Sequence, residues 1–383
     1  DTAKLDIQGT SSQFYPSKNY KFKTNNYHMI DTDQIETNVI CVKADFAECT
    51  SCRNTGGAKY VHTLYDDAKV PAQIDNEKVR TTIFGYPVAV FWRPDSNTTP
   101  KFLYKGNYNY DKSSAEAFGF TSDYPDAFSV EFCNNTSDAC RFHGEIPDVW
   151  GDDFEYRHPD GYDDIADSGF KEMHSWVVST YQEAATNNNL EQSYVGVDGV
   201  TYTKDTKEYR LAKFKKEFTE HFDMEFALIY YILSYFGLYI DSRCKNLFLT
   251  TFDRKHFFCY WYDMDTSWAI NNEGLISLSP YLTDTDLIDG TYVFNGQDST
   301  LWTNFMMAFP DEIAEKYKQL RSDGLISYNR LIESFIEEQC DKYSACMYNE
   351  DSEAKYISLL REENSAAYLY QVRGSGEPHF RYF

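Results

Sequence analysis

Asp241-Ser-Arg-Cys-Lys-Asn246 and, after a short intervening stretch, Asp263-Met-Asp265 are the residues whose types and spacing suit group transfer. A carboxylate set against a hydroxyl orients it or accepts its proton. An amide oxygen and further carboxylates supply the hard oxygen donors that hold Mg2+ against phosphates. A divalent ion would also relieve the repulsion between Asp241 and Asp263. The competing reading is architectural: Asp241 caps a turn, Asn246 satisfies backbone groups, and Asp263 and Asp265 are ordinary turn acids. The two readings separate on whether Asp241, Asn246 and Asp263 share a pocket.

The elements around these residues favour such a meeting. Tyr209–Phe236 carries basic and apolar residues first and nearly pure apolar ones after, so its second half is expected to be a central helix. The apolar stretch Phe226 to Ile240 is shorter than the ~20 residues a bilayer needs, which makes it a buried helix rather than a membrane span. Leu247–Thr251 and Phe257–Tyr262 then read as a strand pair around Asp253-Arg-Lys. A hairpin there brings Asp241, Asn246 and Asp263 to one end of the pair.

Upstream, Val39–Lys43, Thr82–Phe84, Pro87–Trp92 and Phe102–Tyr104 are β-branched or aromatic runs, with Pro87–Trp92 and Lys101–Tyr104 forming a hairpin. A helix is expected over Gly57–Asp66. The acidic segment from Ile146 to Asn189 reads as solvated loop as far as Gly169–Ala185, an amphipathic helix. Trp302–Ala308, Asp311–Leu320, Tyr328–Gln339 and Glu353–Glu363 read as helices, with Pro310 marking a start. The chain thus divides into a β-rich part, residues 1–145, and a mainly helical part, residues 146–383, expected to be two lobes of one unit.

Composition narrows the function classes. With 36 Lys and Arg against 60 Asp and Glu the net charge is −24, which excludes a sequence-independent nucleic-acid binder but leaves room for a nucleotide in one locally cationic cleft. Apolar residues at 42%, with 32 Tyr and 28 Phe, exclude disorder and can fill a large core. The nine cysteines are odd in number and scattered, as expected of reduced thiols. Cys49 and Cys52 have only half a zinc-ribbon spacing. The chain opens on Asp1 without a charged and apolar leader, which fits a processed or internal segment of a longer product.

Asp-x-x-x-x-Asn followed by a hairpin and an acidic turn is the arrangement of protein kinases, although His-Arg-Asp, Asp-Phe-Gly and a Gly-rich loop of the usual form are absent. Tyr230–Asp241-Ser-Arg-Cys-Lys-Asn246-Leu-Phe-Leu and Phe257–Asp263-Met-Asp265 resemble the CotH-type atypical kinases, the spore-coat kinases and their relatives in bacteria, fungi and phages. Val42-Lys-Ala-Asp45, Arg53-Asn54-Thr-Gly, Gly85-Tyr-Pro-Val and Gly106–Lys112 look like strands of that family's first lobe. The resemblance spans about residues 39–268.

It implies an α+β, protein-kinase-like two-lobe architecture and a phosphotransferase using Mg2+ and ATP. Asp241 would be the base or hydroxyl orienter, with Asn246 and Asp263 as metal ligands and Asp265 beside them. Phe257 stands where the family has a Trp that stacks on adenine, and Tyr262 replaces a Trp before the metal Asp. Lys43 and Lys112 are both candidates for the phosphate-binding cation. The expected partner is a protein acceptor hydroxyl, with no nucleic acid and no membrane. The alternative is a phage virion structural protein that uses the fold without catalysis, with other virion subunits as partners.

Overall fold

The computed structural model describes residues 2–9, 12–14, 18–29, 36–45, 52–68, 81–148, 151–159, 169–183, 193–268, 295–296 and 298–343. The chain is mixed α+β. Five antiparallel strands, β1 (Ala3–Gln8), β2 (Asn19–Met29), β3 (Glu36–Lys43), β4 (Gly85–Trp92) and β5 (Lys101–Tyr110), form one sheet in the order β1-β2-β3-β5-β4. A second sheet, in the order β11-β10-β6-β7, joins β6 (Phe128–Phe132) and β7 (Phe154–His158) to the hairpin of β10 (Leu247–Thr251) and β11 (Phe257–Tyr260). It therefore takes strands from both sides of the 145/146 boundary. A small hairpin, β8 (Ser193–Val195) with β9 (Thr201–Thr203), stands apart from both.

The helices are α1 (Arg53–Ala68), α2 (Ala115–Phe118), α3 (Phe170–Ser179), α4 (Lys207–His221), α5 (Met224–Phe236), α6 (Thr300–Ala308), α7 (Pro310–Ser322) and α8 (Tyr328–Leu331), the last running into a π-helical segment, Ile332–Asp341. Among the described residues no helix is long and apolar enough to cross a membrane. One continuous apolar cluster runs from Ala58 in α1 through α5 and both β10 and β11 to Phe335. Its centre is aromatic: Tyr230 stacks on Trp261 at 4.0 Å and on Trp302 at 5.3 Å. Each such pair adds about 1 kcal/mol beyond the area it buries.

Several local expectations are corrected by tertiary context. Tyr209–Phe236 is two helices, because Phe222 leaves the helical conformation to bridge Phe257 and the Asp223 carboxylate accepts from the Phe226 N–H at 2.8 Å, capping a new start. Arg53-Asn54-Thr-Gly is the first turn of α1, not a strand. Within the acidic segment, Phe154–His158 pairs with β6 instead of lying in loop. Residues 149–150, 160–168 and 184–189 of that segment, Glu353–Glu363 and Cys49 lie outside the described residues. The seven described cysteines are all free thiols, in line with a reduced set.

Candidate functional site

Lys43 reaches the site by strand alternation. Thr37, Val39, Cys41 and Lys43 occupy the buried face of β3, so the lysine stands at a core position at the strand's end. Neighbouring β5 passes close by: a Cβ on Gly106 would lie 1.9 Å from the Lys43 carbonyl oxygen, so only glycine fits. Asp241 comes from the other side of the molecule, on the loop that follows α5. That loop is fixed at several points. The Tyr230 hydroxyl donates to the Ser242 carbonyl at 2.5 Å, Ser242 Oγ donates to the Tyr239 carbonyl at 2.8 Å, and Trp302 Nε1 donates to the Arg243 carbonyl at 3.3 Å.

Asp263 follows β11. The register Phe248↔Tyr260 sets the residues preceding β10 beside those following β11, which places Asn246 and Asp263 at the same end of the hairpin. The turn is held from α1: the Met264 N–H donates to Asn54 Oδ1 at 2.9 Å, and Arg53 Nε donates to the Ser267 carbonyl at 3.2 Å. Asn246 and Asp263 both adopt left-handed backbone, with φ of 52° and 54°. Asn and Asp tolerate that region better than other side-chain-bearing residues, and such conformations gather at functional sites.

These residues line one cavity of about 650 Å3, which receives Lys43, Lys112, Asp241, Lys245, Asn246, Tyr262, Asp263 and Asp265. Six of the seven residues singled out in sequence are therefore brought together. Phe257 is not among them. It sits at the turn end of the hairpin, opposite Thr251 and several strand residues from Asp263, 1% exposed and packed against Phe128 and Phe222. The expectation that it faces adenine is corrected: it is a core ring.

Two of the carboxylate–cation pairs that face this cavity involve the candidate acids Asp263 and Asp241. Lys43 Nζ lies 2.5 Å from Asp263 Oδ1. Burial opposes the charge of each, yet their mutual attraction prevails: the Asp263 carboxyl is held below the usual carboxylate range and the Lys43 ammonium is raised well above the usual lysine value. Asp241 behaves differently. Its Oδ1 accepts from Asn295 Nδ2 at 2.6 Å, its Oδ2 accepts from Asn246 Nδ2 at 3.1 Å, and Lys245 Nζ stands 3.5 Å from Oδ2. Burial pushes its carboxyl up, Lys245 and Asn295 pull it down and Asp263 pushes it up again, for a net rise. A carboxylate of raised affinity for protons is suited to accept one from a hydroxyl.

Asp241, Asp263 and Asp265 share the cavity, but their ligand atoms do not form a group of three lying within 4.8 Å of one another. Asn246 donates to Asp241 through its nitrogen, and Asn246, Asp263 and Asp265 line the same cavity with oxygen-bearing side chains of the kind a hard cation takes. A second acidic group, Glu131, Cys133 and Glu155, has ligand atoms within 4.8 Å of one another. Lys112 donates to both Glu131 oxygens, at 2.9 and 2.7 Å, and Arg157 bonds Glu131 and Glu155. Its charge is thus already neutralised by side chains.

Other residues join the candidate set at the cavity. Tyr262 lies between the two lysines, its ring centroid 4.5 Å from Lys43 Nζ and 5.3 Å from Lys112 Nζ, and Gln8 Nε2 donates to its hydroxyl at 3.3 Å. Gln8, Gly9 and Ser12 bring the connection after β1 to the cavity rim. Asn295 carries no local signal, since it lies far along the chain from Asp241. Lys245 was visible as a cation directly before Asn246. Compared with known proteins, the chain matches no family model and no curated protein sequence, so its chemistry is read from this geometry.

Proposed function

We propose that the protein is a Mg2+- and ATP-dependent phosphotransferase of protein-kinase-like, two-lobe, CotH-like design, acting on a hydroxyl of a protein acceptor. The observation that carries the reading is the single cavity lined by Lys43–Asp263 and by Asp241–Asn246. In this reading the five-stranded sheet with α1 is one lobe, and the α4–α7 helices are the other. The acceptor oxygen attacks the γ-phosphorus, the bond to the bridging oxygen breaks, ADP departs with that electron pair, and the acceptor proton passes to Asp241. Asn246, Asp263 and Asp265 would hold the Mg2+, whose charge offsets that of the phosphates. Lys43, anchored on Asp263, presents its ammonium where the phosphates enter. Lys112 is the weaker candidate for that contact, since both its hydrogen bonds go to Glu131.

The test is calorimetric titration of the chain with Mg·ATP, followed by phosphate transfer from labelled ATP by the wild type and by Asp241→Ala. Binding near or below millimolar, with transfer reduced about 10²–10⁴-fold in the variant, is expected for loss of a positioned base. No binding at millimolar ATP overturns the proposal.

A second reading, an assembly protein that uses the fold without catalysis, is favoured by the edges of the five-stranded sheet. Leu5 and Ile7 on β1 and Phe91 and Trp92 on β4 are 50–58% exposed. Edge strands with apolar faces are natural pairing surfaces. Recovery of the chain as a stoichiometric part of a symmetric particle, with no nucleotide turnover, would favour this reading over the first.

A further inference from the structure

We propose that Cys52 and Cys340 are a disulfide-forming pair, a redox modification site that ties the start of α1 to the π-helical segment. Their Sγ atoms lie 3.4 Å apart, although 288 positions separate them in the chain. A disulfide holds its sulfurs at about 2.05 Å, so the bond closes with a movement of about 1.4 Å in two short side chains. Elsewhere the thiols turn to oxygen: Cys41 donates to Asp111 Oδ2 at 3.0 Å, and Cys140 to the Asp153 carbonyl at 3.1 Å. Cys52 and Cys340 instead face each other's sulfur, buried with Ile336 in a small apolar cluster separate from the main core.

The packing around the pair keeps the two backbones together. The Cys52 carbonyl accepts from the Gly56 N–H at 2.7 Å, which opens α1. A Cβ on Gly56 would lie 2.6 Å from Phe335 Cδ1, so this glycine lets the π-helical segment come close enough for the sulfurs to meet. Lys59 and Glu338 span the same junction at 3.4 Å. The two residues after Cys52 reach the acidic turn: Arg53 donates to the Ser267 carbonyl, and Asn54 accepts from the Met264 N–H. A covalent tie at Cys52 therefore fixes the helix start that holds the turn carrying Asp263 and Asp265. The bond forms by exchange with glutathione disulfide. One cysteine thiolate attacks it, making a mixed disulfide and expelling a glutathione thiolate. The other cysteine's thiolate then attacks the protein sulfur and expels the second glutathione. The two cysteines lose two electrons and two protons, and glutathione disulfide is reduced to two thiols.

The experiment equilibrates the full chain in glutathione buffers of graded oxidation, native and in urea, then alkylates it and digests it without reduction for peptide mass analysis. Expected is a linked Cys52–Cys340 peptide, two hydrogens lighter than the sum of its two thiol peptides. It should be half-formed in the native chain in a buffer about tenfold or more reducing than the unfolded chain requires, because folding raises the effective concentration of one sulfur at the other. The oxidised chain should also have a higher urea midpoint than the reduced chain, a difference that Cys340→Ala removes. Three results overturn the pair: no linked peptide at any glutathione ratio, a link formed as readily in urea as in the native chain, or an oxidised chain no more resistant to urea. Zinc released from the untreated protein as a mercurial titrates its thiols would overturn it as well, since the sulfurs would then be metal ligands. None of these readouts depends on nucleotide binding, so their failure leaves the phosphotransferase reading untouched.

Discussion

The two walls of the cavity are built on different terms. On the sheet side, charges are closely paired: Lys43 against Asp263 at 2.5 Å on the cavity and, behind it, Lys21 against Asp111 at 2.8 Å, where Asp111 also accepts from Cys41 Sγ at 3.0 Å. On the wall formed by the loop after α5, Asp241 is shared among two amides and a longer lysine contact, and its neighbour Lys245 is partly solvated. Tight pairs hold geometry and strongly penalise removal of one partner. Looser, redundant contacts permit exchange. The sheet wall is thus the anchor and the loop wall is the more loosely held of the two.

Substitutions can break this contrast. The largest effect is expected from Lys43→Met, which strands the Asp263 carboxylate. Unfolding free energy from urea titration should fall by about 3 kcal/mol, the low end for a broken pair because Asp263 is 32% exposed. Stability within error of wild type would mean that the sheet wall is no anchor.

Next is Asp111→Asn. Burial opposes ionisation of Asp111, but Lys21, Cys41 and Ser113 overcome it and hold the carboxyl well below the usual range. A carboxyl depressed in the folded state stabilises above its unfolded pKa of about 4 and loses that contribution as pH falls through the folded value. The variant should cost about 2 kcal/mol at pH 7, and its deficit should shrink as urea midpoints are measured at progressively lower pH below 4. A deficit that grows on acidification would reverse the sign assigned to this group.

The smallest effect is expected from Phe257→Leu. A core ring exchanged for a smaller apolar side chain should cost about 1 kcal/mol and leave the Mg·ATP dissociation constant unchanged. A selective loss of nucleotide affinity at full stability would return Phe257 to the site and dissolve the boundary between core and cavity drawn here.

Much of the site was legible because it is local. The β10–β11 hairpin follows from two aromatic, β-branched runs around Asp253-Arg-Lys, and its antiparallel register alone puts Asn246 and Asp263 at one end. The β4–β5 hairpin and the placing of Val39–Lys43 in a strand were likewise written in short-range pattern. The strands β1 and β2 were not, because their polar, alternating residues resemble exposed loop until a partner strand gives them a face.

By itself the sequence determined which residues have the chemistry and which short elements carry them: a period of two in the strands, an apolar run for α5, and acids set at the ends of these elements. Tertiary structure alone decided which distant groups meet: Lys43 with Asp263, Asn295 with Asp241, Asn54 with the turn at Met264, and Phe257 with the core instead of the cavity. The reason is physical. Local periodicity is set by backbone geometry within a few residues. The pairing of groups hundreds of positions apart is set by how sheets and helices close on one another, and any one stretch of chain carries no record of that closure.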